Sequence, residues 1–250
     1  MEYVDVHCHL NSSEFDLDRE GVIERAKEAG VVAIIDCGES YKENERILEL
    51  SGQFPIIKPA FGHSPENLSI EDAKATVDFI RKQKDSAVAI GEVGLDYWRV
   101  KEEPERGIQR KILSMFVDLA KELDLPLIVH SRSAGKYAIE LLKEKGANKV
   151  CMHAFDGSLK NAMLGVEAGF YFSIPPSIMR SEQKQKLAKG IPLENLLLET
   201  DSPLLGPTRE ERNEPSNIGI AATKISLLRA ISETEAAAAF RANTKRFSGI

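Results

Sequence analysis

The chain of 250 residues carries 33 Lys plus Arg against 39 Asp plus Glu, a formal charge of −6 with histidines neutral. Its apolar content of 42% suffices for a substantial core, since a chain of this length buries roughly three-quarters of the surface it exposes when unfolded, and disorder as the main state is excluded. No apolar run approaches the roughly 20 residues of a membrane-spanning helix, and the opening MEYVDVHCHL carries acids where a secretory leader places basic residues and an apolar run.

The expectation is a soluble, cytoplasmic protein without membrane association. Cys8, Cys37 and Cys151, odd in number and each inside an apolar run, read as reduced, buried thiols. The acidic balance and the lack of any Lys/Arg block argue against wrapping duplex nucleic acid by phosphate neutralisation. A phosphodiester substrate stays open if metal ions supply the positive charge locally.

Along the chain, short β-branched runs alternate with longer amphipathic segments. YVDVHCHL from Tyr3 is the first predicted strand, and in LDREGVIERAKEAG the residues Val22, Ile23, Ala26 and Ala29 share a helical face that Gly30 closes. VVAIIDCG from Val31, PIIKPAFGH from Pro55 and AVAIGEVGLDY from Ala87 are strands two to four. GIQRKILSMFVDLAKELD is striped by Ile112, Met115, Phe116, Leu119 and Leu123, and Asp124 to Pro126 ends it before LPLIVHSR. SAGKYAIELLKEKG then leads to KVCMHAFDG from Lys149, and SLKNAMLGVEAG to FYFSIPP from Phe170; each helical segment opens at a serine able to cap and closes at glycine. NLLLETDSP from Asn195 is the eighth strand.

Eight such units give about 31 residues each, the rhythm of a (β/α)8 TIM-like barrel, an α/β fold in a single domain over residues 1–250. No linker, low-complexity tract or repeat invites a domain cut. A doubly wound open sheet would usually show a Gly-rich phosphate turn after its first strand, where this chain has HCHLNS.

In a parallel barrel all strand C-termini open on one face, so residues distant in sequence converge there. The five histidines, His7, His9, His63, His130 and His153, each lie at or just past the end of a predicted strand. One histidine alone reads more readily as a hydrogen-bonded core or loop residue, whereas five on one rim read as a site. His7 and His9, two apart, emerge on the same side of their strand and are placed to chelate one divalent ion.

Glu92 after AVAI and Asp201 after NLLLET would be costly inside a barrel unless paired or metal-bound. Their other readings are an ion pair with an arginine such as Arg132 for Glu92, and a turn cap for Asp201. His7, His9, Glu92, His130, His153 and Asp201 together exceed what one Zn²⁺ with an open position requires. They point to two adjacent divalent ions, Mg²⁺, Mn²⁺ or Zn²⁺, with Glu92 as the bridge. His63 is left over for substrate or proton handling. Arg132 is placed either to fork onto a substrate phosphate or to partner Glu92 or Asp96.

The ordered set DVHCHL, GHSPENL, GEVGLDY, VHSRSA, HAFDG, LLETDSP and RNEPSNI resembles the TatD family of metal-dependent hydrolases, within the amidohydrolase-like superfamily. The resemblance runs from DVHCHL to NTKRF, essentially the whole chain. It implies a TIM-like barrel, a divalent-metal site and deoxyribonuclease activity, often that of a 3′ exonuclease on single strands. Carried over by position, it implies one ion held by His7, His9, Glu92 and Asp201 and another by Glu92, His130 and His153.

Departures from the usual wording, HAFDG for HCFSG, GHSPENL for a GxHPH form and Trp98–Arg99 after GLDY, spare the ligands and alter the substrate pocket. Trp98 reads equally as rim packing or base stacking. Arg209 and Arg212, among Glu210, Glu211 and Glu214, read as a solvated lip.

Phosphodiester hydrolysis needs a nucleophile, neutralised phosphate oxygens and a stabilised leaving alkoxide, all of which two divalent ions supply. Asp201 is expected to accept the proton of the attacking water, with Glu92 as its catalytic companion. The expected substrate is the end of a DNA single strand, with no obligate protein partner. On the same ligands, hydrolysis of an ester, lactone or amide is the alternative.

Overall fold

A computed structural model describes residues 1–250. Each β-branched run forms a strand: β1 Tyr3–Cys8, β2 Val31–Cys37, β3 Ile57–Phe61, β4 Ala89–Gly94, β5 Leu127–His130, β6 Val150–Met152, β7 Tyr171–Ile174 and β8 Leu196–Leu198. They make one parallel sheet in sequence order. Its open seam is closed past the end of β8, against the last stretch of chain in and just after β1: Asp201 N–H donates to the His7 carbonyl at 2.9 Å, and His9 N–H to the Ser202 carbonyl at 2.8 Å. The result is the expected (β/α)8 barrel, and no helix in it is long and apolar enough to cross a membrane.

The amphipathic segments form α1 Arg19–Glu28, α2 Tyr41–Gln53, α3 Ile70–Lys82, α4 Glu103–Leu123, α5 Gly135–Glu144, α6 Leu159–Val166, α7 Glu182–Gly190, α8 Ile218–Arg229 and α9 Glu233–Ser248. Ser158 caps α6 as expected, accepting from Asn161 N–H. Ser133 does not cap α5: the cap position falls on Ala134, and Ser133 instead takes a left-handed φ of 56° while its N–H donates to Asp156.

A large outer core fills the layer between strands and helices. A smaller inner one lies along the barrel axis, built from Val4, Val6, Ala33, Ile35, Ala60, Ala89, Ile128, Cys151 and Leu197, with Phe247 of α9 joining it. The period of two along a strand decides what reaches the mouth. Ile128 is followed inward by His130, and Cys151 by His153. All three cysteines are buried and unpaired.

Candidate metal centre

Glu92 stands in the middle of the C-terminal mouth with its two oxygens divided between two pairs of imidazoles. Its Oε2 lies 3.3 Å from both His7 Nε2 and His9 Nε2. Its Oε1 lies 2.6 Å from His130 Nδ1 and 3.1 Å from His153 Nε2. Asp201 joins the first pair, with Oδ1 3.2 Å from His7 Nε2 and 3.5 Å from His9 Nε2. All six residues expected as ligands are thus brought together, and only His9 and His130 retain appreciable solvent exposure.

Two of the rings have their free lone pair fixed by what holds the opposite nitrogen. The Cys37 carbonyl, which can only accept, lies 2.9 Å from His9 Nδ1. The hydrogen therefore sits on Nδ1, and the lone pair of Nε2 faces Glu92 and Asp201. Asp96 Oδ2 lies 2.9 Å from His130 Nε2, and by the same reasoning the lone pair of Nδ1 faces Glu92. Lone pairs and carboxylate oxygens brought this close require a cation between them. Donors bound to one ion at about 2.1 Å lie roughly 3 Å apart, which matches the spacing here. The ligand atoms of His7, His9 and Asp201, and those of His7, Glu92 and His153, each fall within 4.8 Å of one another. His130 Nδ1 lies 3.4 Å from His153 Nε2.

Six carboxylates, those of Asp5, Asp36, Glu92, Asp96, Glu199 and Asp201, are buried at this end of the barrel. None has an Arg or Lys within ion-pair distance; their close cationic partners, where they have any, are the imidazoles. Burial pushes Asp5 up to about 7 and Asp36 up to about 6, against hydrogen bonds from Thr200 and Asn11 respectively. For Glu92 the burial penalty is outweighed by the charges of His153 and His130, and it sits well below the usual carboxylate range. Asp201 is likewise held low against burial by hydrogen bonds with His7 and His9. Burial opposes the charged rings too, yet Glu92 and Asp96 carry His130 up to about 9. The centre attracts cations strongly, and protons take that part when nothing else does.

The sequence argument passed over Glu199. It is fully buried, accepts from Ala154 N–H at 2.8 Å and from Ser173 Oγ–H at 2.7 Å, and stands 3.4 Å from His153 Nδ1. The reasoning applied to Glu92, an acid ending an apolar strand, finds it in LLLE as well.

His63 stands apart from the four clustered imidazoles, in a neighbouring pocket. Inward alternation from Ala60 assigns Gly62 to the axis and turns His63 away. Its Nε2 bonds the Asn67 carbonyl at 2.9 Å, its ring stacks on Phe116 of α4, and it lies outside the lining of the central cavity.

That cavity, about 560 Å³, opens over the clustered imidazoles and carboxylates and is lined almost wholly by polar side chains, among them Lys42, Arg46, Arg99 and Arg132. Arg132 does not partner Glu92 or Asp96; its guanidinium lies over the Trp98 ring, 3.8 Å from the centroid. Arg212 folds down to pair with Asp18 at 2.6 Å, anchoring part of the expected solvated lip. Backbone strain gathers here as well, with left-handed φ at Ala154 (39°), Asp201 (54°) and Leu205 (48°).

A (β/α)8 barrel whose mouth gathers four imidazoles around shared carboxylates is the architecture of a metal-dependent hydrolase. Comparison with known proteins agrees. Residues 4–249 match the family described as TatD related DNase, and the chain belongs to that family. It is 47% identical to the human protein named deoxyribonuclease TATDN3, over 93% of this chain and 89% of that one. It is 32% identical to the 3′-5′ ssDNA/RNA exonuclease TatD of Erwinia tasmaniensis, over 97% and 98%. The crystal structure of YjjV, a TatD homolog from Escherichia coli K12, superposes with a TM-score of 0.92 at 28% identity, covering 99% of this chain and 98% of that one.

Proposed function

We propose that this chain is a divalent-metal-dependent deoxyribonuclease that shortens single-stranded DNA from its 3′ end. The observation that carries the reading is Glu92, whose oxygens face two separate imidazole pairs as a carboxylate bridging two ions does. His7, His9, Glu92 and Asp201 would hold one ion; Glu92, His130 and His153 the other. The four imidazoles favour Zn²⁺ or Mn²⁺ over Mg²⁺. When bound, the pair supplies positive charge to the phosphate and acidifies water toward neutrality.

The chain's own groups do the rest. Asp201, held ionised by its imidazole neighbours, is the group that takes the proton of the attacking water. Arg132, without a carboxylate partner and lining the cavity, forks onto a phosphate oxygen. Glu14, Glu39 and Glu43 also line the cavity and repel the body of a duplex, so an entering strand end is favoured. The name of the Erwinia relative supports single strands and the 3′-to-5′ direction. Ester or amide hydrolysis on the same ligands calls for a dry apolar pocket, and this cavity is polar.

The test is an end-labelled DNA single strand incubated with metal-stripped protein resupplied with Mg²⁺, Mn²⁺ or Zn²⁺, beside Asp201→Asn. Metal-dependent release of mononucleotides from the 3′ end, lost in the variant, is expected. Preferential internal cutting of duplex, or no cleavage with any ion, overturns the proposal.

A further inference from the structure

The loop after β4 treats its aromatic residues unequally. Tyr97 and Val100 are buried, whereas Trp98 between them is 45% exposed, which removes rim packing as its main role. Over its ring lie three cations: Arg132 at 3.8 Å, Arg99, itself paired with Glu66, at 4.9 Å, and Lys101 at 5.8 Å from the centroid. Arg132 and Arg99 also line the cavity above the metal ligands. Cations laid on an aromatic plate match a nucleobase carried between phosphates, the base taking the ring face and freeing the guanidinium for the phosphate.

The plate is held in fixed register with the chemistry. Asp96 Oδ1 accepts from the N–H groups of Trp98 at 2.9 Å and Arg99 at 2.7 Å, while Oδ2 holds His130 Nε2 at 2.9 Å. One buried carboxylate therefore sets both the loop that carries the indole and the ring that faces Glu92.

We propose that Trp98 is a stacking platform for the base next to the scissile phosphate, with Arg132 presented beside it to that phosphate and Asp96 as the positioning residue joining both to the metal centre. This rests on the nucleic-acid reading of the site. Every base has a π-face, and the ring's near neighbours are cations that read charge instead of base edges, so the platform accepts any sequence.

Trp98 is the sole tryptophan of the chain, so its emission reports this position alone. The Zn²⁺-loaded protein is titrated with a thymidine oligonucleotide carrying phosphorothioate linkages, with deoxyribose 5-phosphate as the base-free probe. Saturable quenching by the oligonucleotide and none by the sugar phosphate is expected. On cleavable DNA, Trp98→Leu raises KM on the order of tenfold with kcat within about twofold, and Trp98→Phe recovers most of the loss.

Equal responses to both probes, or an unchanged KM in Trp98→Leu, overturn the platform. Cleavage without any change in emission overturns it as well and leaves the nuclease reading standing. Quenching without cleavage supports the platform and overturns that reading, and the absence of both overturns the two together.

Discussion

The two halves of the metal centre are built by different means. His7, His9 and Asp201 occupy the closing seam of the barrel, where backbone hydrogen bonds run from Asp201 to His7 and from His9 to Ser202, and the His9 ring is set by the Cys37 carbonyl. His130 and His153 come from neighbouring strands and face side chains, the His130 ring bonded to Asp96 and the His153 ring 3.4 Å from Glu199. The first half is carried by the backbone that closes the barrel. The second is the half that single substitutions are expected to reach, through the groups that hold its rings.

The comparison breaks most completely at Glu92, which belongs to both halves. Glu92→Ala is expected to bring turnover below detection and to reduce tightly bound metal to one equivalent or less by elemental analysis of the purified protein. Retention of two equivalents would show that the halves bind independently of their shared carboxylate. Next in size, Asp201→Asn should lower kcat by about 10²- to 10⁴-fold with a far smaller change in KM, as the loss of a proton acceptor does. Steady-state rates on single-stranded DNA measure it, and a loss confined to KM would reassign Asp201 to substrate binding.

Smaller effects separate the halves. Asp96→Asn and Glu199→Gln should each weaken one ion about 10- to 100-fold, with activity recovered at high metal concentration and the other ion unaffected. Titration with a competing chelator resolves the two affinities. If either variant loosens both ions equally, the division drawn here is wrong.

How much of this was legible in the sequence depends on whether period-two alternation holds. It holds in β5 and β6, where Ile128 and Cys151 precede His130 and His153 by two, and those imidazoles could be placed in the mouth in advance. In β4 alternation from Ala89 would give Gly91 the inner position, yet the pairing register shifts between Ile90 and Val93 and Glu92 stands in the mouth. A similar shift between Asp5 and Cys8 accompanies His7, which Val4 and Val6 alone would turn outward. The chemical cost of a buried acid singled out Glu92, which stands among the imidazoles; the irregularity that orients it has no mark in the residue pattern. His63 shows the reverse, a suggestive residue type on a strand whose alternation turns it away. Arg132 was ambiguous because side-chain competition is invisible in sequence: Asp96 is already occupied by the His130 ring and two backbone N–H groups.

The smallest effect concerns the support of the adjustable half. Lys184 of α7 is buried, and its ammonium donates to the carbonyls of Ala154 and Phe155, the residues that follow His153. Burial lowers its pKa from 10.5 to about 8, only partly opposed by the charge of Glu199. Between about pH 8 and 10.5 the unfolded chain keeps this proton while the folded chain has released it. Stability contributed by this group therefore rises with pH across that window, and the cost of burying the charge is fully present below it. Other lysines titrate in the same range, so the informative quantity is the difference between the protein and Lys184→Met. Chemical denaturation at intervals from pH 7 to 10 should show the parent gaining on the variant by up to about 3 kcal/mol, the free-energy equivalent of the shift. Parallel curves would mean that Lys184 carries no burial penalty in the folded protein.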